Sequence, residues 1–248
     1  MEEIGQVDTT FCVQRQSLAK TEPIVYEDGD SVTLQFRIGE VQSEMSASDP
    51  NFLVLPYTRT MLDFLRFSKE PRRIAMIGLG GGSIPKWCYH QLPAREITII
   101  EINPMVISLR EQFYIPADDD RFRVICGDGA EYVSKTRDLP EVLLVDGFDI
   151  YGQPPQLCSQ EFYDDCYRAL AHDGLLVVNL CCGPEDQLSL DRIRRSFDDR
   201  VYIVIPSDDE ENRIVFALKR EWLWMADERT DELVKKLRSR QTPYLIKS

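Results

Sequence analysis

The residues best suited to chemistry are four carboxylates that follow apolar runs of the sequence. Glu101, Asp128 and Asp146 each stand at or just past the end of such a run, and Asp149 lies three residues after Asp146. Carboxylates can accept hydrogen bonds from hydroxyl groups, bind cations and take up a proton as general bases. Any one of them could instead be a helix N-cap, Asp128 above all, because Gly-Ala-Glu follows it. Four on one rim without a ligand would repel one another, which favours a binding site.

A glycine-rich stretch precedes the first of these acids. Residues 74–83 read Ile-Ala-Met-Ile-Gly-Leu-Gly-Gly-Gly-Ser, and a second apolar run ends in Glu101. An acid about 20 residues after such a loop is the layout of a nucleoside-binding βαβ unit. The glycines allow a tight turn and a close approach of the ligand, and the acid accepts hydrogen bonds from ribose hydroxyls. The alternative is a turn that only joins a strand to a helix.

The elements that would position these residues alternate along the chain. Apolar runs predict strands at 73–77, 96–101, 122–126, 141–145, 174–180, 201–205 and 213–218. Helices are predicted at 84–91, 104–112, 129–135, 159–171, 186–197 and 221–238. This alternation indicates a mainly parallel sheet covered on both faces, at whose carboxyl edge ligands bind. Residues 207–212 form a short polar turn, which predicts a closing antiparallel hairpin.

The first fifth of the chain follows a different pattern. Residues 24–46 alternate apolar and polar side chains around a Glu-Asp-Gly-Asp turn, which predicts β structure. Asp49 and Pro50 are typical of an N-cap and a first helical position, so a helix is predicted to run to Phe67. A second proline, Pro56, would move its start one turn later. We therefore expect a β-hairpin domain at 1–48 and a Rossmann-like nucleoside-binding catalytic domain at 49–248.

Composition excludes several functions. The chain has 248 residues, 43% of them hydrophobic, and a formal net charge of −13. The absence of a basic stripe argues against nucleic acid as a partner. No apolar run approaches the ~20 residues that span a membrane, and the N-terminus lacks a signal-peptide pattern. Seven cysteines without a CxxC spacing favour a reducing, cytoplasmic location, and two histidines make a histidine-based metal site or triad improbable.

A parallel sheet closed by an antiparallel hairpin resembles the class I S-adenosylmethionine-dependent methyltransferase fold. More closely, the sequence resembles the spermidine synthases (polyamine aminopropyltransferases), in particular their bacterial spermidine-synthase-like branch. The resemblance runs from Ile24 to Leu218. Its motifs are the glycine loop, Glu101-Ile-Asn-Pro, Gly127-Asp-Gly-Ala, Asp146-Gly-Phe-Asp, the segment 173–179 and the segment 212–217.

The resemblance implies transfer of an aminopropyl group from decarboxylated S-adenosylmethionine to putrescine or a related amine, without a metal, by a homodimer. It implies that Glu101 holds the ribose and that Asp128 and Gly129 contact the adenine. Asp146 would be the base on the attacking amine, Asp149 would hold a cationic group, and Tyr57 would line the amine pocket. The expected catalytic residues are thus Asp146, Asp149 and Tyr57. The expected donor-binding residues are Gly78, Gly80, Gly81, Gly82, Ser83, Glu101, Ile102, Asp128 and Gly129.

Two departures from the family pattern leave the substrate open. Ser83 stands where the family carries an aspartate, which binds the donor's ammonium and repels the carboxylate of intact S-adenosylmethionine. Thr58 follows Tyr57 where the family has an amide side chain. The alternatives are therefore a methyltransferase that uses S-adenosylmethionine on a small molecule, and a catalytically weak nucleoside-binding protein.

Overall fold

Two β-sheets organise the part of the chain that the structure describes. The computed structural model describes residues 21–92, 96–181, 186–206, 209 and 211–220. The smaller sheet is antiparallel and consists of β1 (Ile24–Asp28), β2 (Ser31–Arg37) and β3 (Glu40–Ser46), in that order. It confirms the β structure predicted for residues 24–46.

The larger sheet has seven strands in the order β6-β5-β4-β7-β8-β10-β9. Strands β4 to β8 are parallel, β10 is antiparallel to β8, and β9 is antiparallel to β10. This arrangement confirms the predicted Rossmann-like sheet with its closing hairpin. The strands are β4 (Arg73–Ile77), β5 (Glu96–Glu101), β6 (Phe122–Cys126), β7 (Val142–Val145), β8 (Leu175–Cys181), β9 (Val201–Val204) and β10 (Asn212–Leu218).

Helices cover both faces of the larger sheet. Ile74 and Met76 of β4 pack into one hydrophobic core, whereas Ala75 and Ile77 pack into a second core on the opposite face. This alternation is the reason that a central parallel strand is apolar throughout. The helices are α1 (Pro56–Met61), α2 (Ser83–Gln91), α3 (Pro104–Ser108), α4 (Gly129–Lys135), α5 (Gln160–Ala169) and α6 (Asp186–Ser196), with 3₁₀ turns at Leu62–Arg66 and Pro155–Leu157.

The helix predicted from Asp49 is wrong in its first turn and a half. The carbonyl of Asp49 accepts a hydrogen bond from the N–H of Phe52, and its carboxylate accepts one from Asn51, so this segment is a local turn. Pro56 stands at the true start, where its missing N–H is harmless; deeper in a helix its ring would collide with the preceding turn. The α-helix has six residues and continues as the 3₁₀ turn.

Other boundaries differ less. Helix α3 ends at Ser108 rather than at residue 112, because the chain turns back and the N–H of Ile115 bonds to the carbonyl of Arg110. The helix predicted at 221–238 lies outside the described residues. Val32, Leu34 and Met45 of the smaller sheet share a hydrophobic core with the larger one. The domain boundary at residue 48 stays a prediction.

The strand order reverses between β4 and β7, and this switch point creates the crevice in which α/β sheets bind ligands. The N–H of Asp146 donates to the carbonyl of Ile77 at 2.9 Å, so the end of β7 lies directly beside the start of the glycine loop. Within the described residues, no helix is both long and apolar enough to cross a lipid bilayer.

Candidate active site

A cavity of about 590 Å³ opens at the carboxyl ends of the parallel strands. Most of the residues predicted for the site line it, and they come from five separate segments of the chain. The lining includes Tyr57, Gly78, Gly80, Ser83, Glu101, Ile102, Asp128, Gly129, Asp146 and Asp149. Gly81 and Gly82 lie behind the wall: a Cβ on Gly81 would come within 2.8 Å of the Phe113 ring, and one on Gly82 within 2.6 Å of Ile115.

Glu101 ends β5 and is almost completely buried, with 8% of its surface exposed. One carboxylate oxygen accepts a hydrogen bond from the N–H of Leu79 at 2.9 Å, and the other accepts one from Asn103 at 2.8 Å. Burial raises the pKa of this carboxyl, and the backbone hydrogen bonds offset part of that rise. Glu101 therefore also fixes the shape of the glycine loop, in addition to any contact with a ligand.

Asp128 combines the two interpretations that the sequence left open. Its carboxylate caps α4 by accepting from the N–H groups of Ala130 at 2.8 Å and Glu131 at 3.4 Å. The same residue also lines the cavity. A helix cap at this position holds the side chain in place at the cavity wall.

Asp146 lies at the end of β7 between two hydrogen-bond donors. The hydroxyl of Tyr57, from α1, donates to one carboxylate oxygen at 3.1 Å. The Nδ2 of Asn179, from β8, donates to the other at 2.9 Å. Burial raises the pKa of Asp146, while these two hydrogen bonds act in the opposite direction. The result is an oriented carboxylate that is poised to accept a proton.

Asp149 lies in the loop after β7 and is held by the loop's own backbone. Its carboxylate accepts from the N–H of Tyr151 at 2.5 Å, and its main chain pairs with that of Gly152. Burial raises the pKa of Asp149 as well, although the side chain is only partly enclosed. Its position places a second carboxylate on the same side of the cavity as Asp146.

The charged side chains in the described lining of the cavity all have the same sign. Six of its described lining residues are acidic, and none is lysine, arginine or histidine; the acids are Glu40, Glu101, Asp128, Asp146, Asp149 and Glu211. Such a wall favours cationic ligands and disfavours anionic ones. In the described part of the chain, no group of three or more histidine, cysteine, aspartate or glutamate residues is arranged to hold a metal ion.

Sequence reasoning gave no role to Asn179, which is 3% exposed and bonds directly to Asp146. Its position at the end of β8 follows the same rule that selected Asp146, so the rule could have found it. Glu40 and Glu211 were also not predicted from the sequence; they line the cavity from β3 and from the turn before β10. Nothing in their local sequence distinguishes them from solvated acids.

Comparisons with known proteins agree with this geometry. Residues 55–196 match the model of the spermine/spermidine synthase domain. The polyamine aminopropyltransferase of Chromobacterium violaceum is 35% identical over 82% of this chain and 78% of its own length.

Two solved structures share the fold. A probable spermidine synthase from Corynebacterium glutamicum has a TM-score of 0.72 at 17% identity, over 87% of this chain and 82% of its own. A spermidine synthase in complex with the transition-state analogue AdoDATO has a TM-score of 0.64 at 21% identity, over 88% and 84%. With most of the chain matched in sequence and in fold, this protein belongs to the spermine/spermidine synthase family.

Proposed function

We propose that this protein is a polyamine aminopropyltransferase, which transfers an aminopropyl group from decarboxylated S-adenosylmethionine to putrescine or a related amine. The observation that carries the proposal is the oriented carboxylate of Asp146, flanked by Tyr57 and Asn179 in a cavity whose described lining includes no basic side chain. Both substrates are cationic, and the cavity's charge matches them. Membership of the family supports the same reaction.

The described residues fit a positively charged nucleoside. Glu101 and the glycine loop would hold its ribose, and Asp128 with Gly129 would contact its adenine. When bound, the donor supplies a carbon that is activated by a sulfonium leaving group, so the cavity need not provide a strong acid for the departing thioether. The remaining tasks for the protein are alignment of the amine with that carbon and removal of the amine's proton.

Asp146 is the proposed general base, which accepts the proton that the attacking amine loses. An amine at neutral pH is mostly ammonium and becomes nucleophilic only after it loses a proton. The donors Tyr57 and Asn179 fix the direction in which the carboxylate presents its remaining lone pairs. Asp149, further along the same loop, would hold the acceptor's other ammonium group. In this assignment Asp146 deprotonates the attacking nitrogen of the acceptor, and Asp149 binds the ammonium group at the acceptor's other end.

The direct test is a turnover assay with decarboxylated S-adenosylmethionine and a series of diamines and longer polyamines, with detection of methylthioadenosine and of the extended amine. Both products should appear in equal amounts. Binding of methylthioadenosine without any turnover would contradict the proposal and would instead support a nucleoside-binding protein.

Replacement of Glu101 by glutamine should weaken methylthioadenosine binding by about 1.5–3 kcal/mol. The variant loses the charged acceptor for the ribose hydroxyls. Its amide NH₂ would also face a backbone N–H group, because both carboxylate oxygens of Glu101 accept hydrogen bonds from backbone N–H groups. Titration calorimetry measures the change. Glu96→Gln, at the exposed start of the same strand, is the matched control and should bind like the wild type. Equal affinities of the two variants for methylthioadenosine would contradict the assignment of Glu101 to the ribose.

Replacement of Tyr57 by phenylalanine should move the acidic limb of the pH profile of kcat/KM to higher pH. The base works only when ionised, and loss of the Tyr57 hydroxyl removes a hydrogen bond that lowers the pKa of Asp146. At pH 7 the loss in kcat/KM should be about tenfold, as expected for one hydrogen bond to a charged group. Tyr89→Phe removes a comparable hydroxyl–carboxylate bond, to Asp119, outside the cavity and should leave the profile unchanged. A Tyr57 variant with the wild-type profile would mean that the hydroxyl does not influence the base.

Homodimeric assembly and a cytoplasmic location stay predictions. Light scattering of the purified protein and fractionation of cells that express it would test them separately from the chemistry.

A further inference from the structure

One reactive side chain of the cavity has no part in the proposed reaction. Cys181 is the last residue of β8; the six residues before it in this strand are buried, whereas Cys181 is exposed. It lines the cavity and pairs in the sheet with Asn212 of β10, which lines the cavity as well. A thiol in this place is accessible to a small electrophile that enters the cavity.

The position of Cys181 is unusual among the cysteines that the structure describes. Cys88, Cys158 and Cys166 are buried. Burial raises the pKa of the Cys88 thiol to about 12 and that of Cys166 well above its ordinary value, so neither forms the reactive thiolate at neutral pH. Cys126 is exposed but does not belong to the cavity lining. Of the described cysteines, only Cys181 combines exposure with a place in the cavity.

Asn179, two residues earlier in β8, points to a ligand beside this thiol. Side chains at this spacing project from the same face of a strand, and both residues line the cavity. Asn179 is 3% exposed, and its Nδ2 donates to Asp146 at 2.9 Å. Its Oδ1 is buried and has no hydrogen-bond partner in the described part of the chain. A buried acceptor of this kind is costly until a donor reaches it, and the ammonium group of a ligand would supply that donor.

The acids of the cavity restrict the charge of such a ligand. Asp146 is joined to Asn179, and Glu211 directly precedes Asn212, the residue that pairs with Cys181. These carboxylates attract cationic reagents and repel anionic ones. A reagent that reaches Cys181 should therefore be small and positively charged.

We propose that Cys181 is a modification site for small cationic disulfides and that its modification stops turnover. The thiolate of Cys181 attacks one sulfur of the disulfide, the S–S bond of the reagent breaks, and the other half leaves as a thiolate that takes up a proton. The proton of Cys181 is released to solvent, so no separate oxidant is needed. Two residues of a strand advance about 6.6 Å, so an aminoethyl group attached to Cys181 can bring its ammonium to the Oδ1 of Asn179.

The attached group would occupy the part of the cavity beside Asp146, which the proposed function gives to the amine acceptor. The site of modification thus rests on the cavity alone, whereas the loss of turnover rests on the proposed function. A small thiol reduces a mixed disulfide by the same exchange reaction, so the modification is a reversible response to oxidised aminothiols.

Three disulfides of similar length test the charge selection in the intact protein. They are bis(2-aminoethyl) disulfide, which is a dication, the neutral bis(2-hydroxyethyl) disulfide, and the anionic bis(2-carboxyethyl) disulfide. Peptide mass spectrometry of timed samples gives a rate of modification for each cysteine. The rate at Cys126 in the same sample corrects for the different intrinsic reactivities of the reagents.

The ratio of the rate at Cys181 to the rate at Cys126 should be about tenfold or more higher for the dication than for the dianion. Salt at about 1 M should reduce that difference, because it screens the carboxylates. An equal ratio for the three reagents would overturn the charge selection. Modification of other cysteines in place of Cys181 would overturn the site.

Turnover assays of two serine variants test the consequence of the modification. Each protein is treated with bis(2-aminoethyl) disulfide, freed of the reagent, and compared with its own untreated turnover. The wild type and Cys126→Ser should lose most of their turnover and regain it with dithiothreitol, whereas Cys181→Ser should keep its turnover. An equal loss in all three proteins would show that another thiol is responsible and would overturn the inhibition.

The two measurements keep this inference apart from the proposed function. Charge-selective modification of Cys181 in a protein without aminopropyl transfer would refute only the proposed function. Transfer that continues at the full rate after Cys181 carries the aminoethyl group would refute only the inhibition inferred here.

Discussion

Replacement of Asp146 by asparagine should lower kcat for aminopropyl transfer by about 10²–10⁴-fold, the range for loss of a general base. Asparagine keeps the shape of the side chain and can still bond to Tyr57 or Asn179, but it cannot take a proton from an ammonium group. Methylthioadenosine affinity should stay close to the wild-type value. Steady-state kinetics with a saturating amine, together with calorimetry, measure the two effects.

The fold provides an internal check on this variant. Burial places the folded-state pKa of Asp146 above its ordinary value. A group of this kind contributes stability below its unfolded pKa, and that contribution is lost as pH rises through the folded pKa. The ionised form is therefore costly at neutral pH, and Asp146→Asn should unfold at pH 7 no more easily than the wild type. The stability difference should shrink as the pH is lowered.

Asp149→Asn is the matched control for the chemistry. It removes a carboxylate from the same loop, so it should raise the KM for the amine more than it lowers kcat. Wild-type turnover by Asp146→Asn would show that another group accepts the proton. An equal loss of kcat in both variants would show that the two acids do not have separate roles.

Replacement of Gly78 by alanine should have the largest effect on stability, a loss of about 2–4 kcal/mol in the free energy of unfolding. Gly78 has φ +95°, and its Cβ would lie 2.1 Å from the carbonyl oxygen of Asp146. The estimate combines about 1–3 kcal/mol for forcing atoms into a packed site with about 1 kcal/mol for the left-handed backbone. Urea unfolding measures it.

Gly80→Ala is the matched control for the contact. Gly80 also has a positive φ, +51°, but the nearest atom to a new Cβ would be the Cβ of Ser43 at 3.6 Å. This variant should lose only the backbone contribution, about 1 kcal/mol. Because the clash at Gly78 falls on the main chain of Asp146, Gly78→Ala should also displace the base and reduce turnover. Equal unfolding free energies for the two alanine variants would contradict the predicted contact.

The parallel sheet was predictable because its strands are buried on both faces and are therefore continuous apolar runs. Val142–Val145 has no polar residue at all, and the acid that follows it marks the strand end. The helix from Asp49 was wrong because a local turn, which the same residues also favour, competes with the N-cap. The sequence offers no means of choosing between the two, apart from Pro56.

The sequence predicted those site residues that stand at or just after the ends of strands, because the strands themselves were predictable. The pairing of Tyr57 with Asp146, across 89 positions of the chain, depends on how α1 packs against the sheet. Lys86 could not be recognised as buried, because a lysine in a short helix is ordinarily exposed. The contact of Ser43 with the glycine loop likewise arises only when the small sheet packs against the large one.

The absence of basic side chains from the described cavity lining has a consequence for how tightly the two products are held. Transfer of the aminopropyl group converts the sulfonium into a neutral thioether, so methylthioadenosine no longer carries the charge that the carboxylates attract. The extended amine gains a nitrogen that protonates in water and in an acidic cavity. The reaction thus moves positive charge from the nucleoside half of the cavity to the amine half. We therefore expect the acidic cavity to hold the extended amine more tightly than the neutral nucleoside once transfer has occurred.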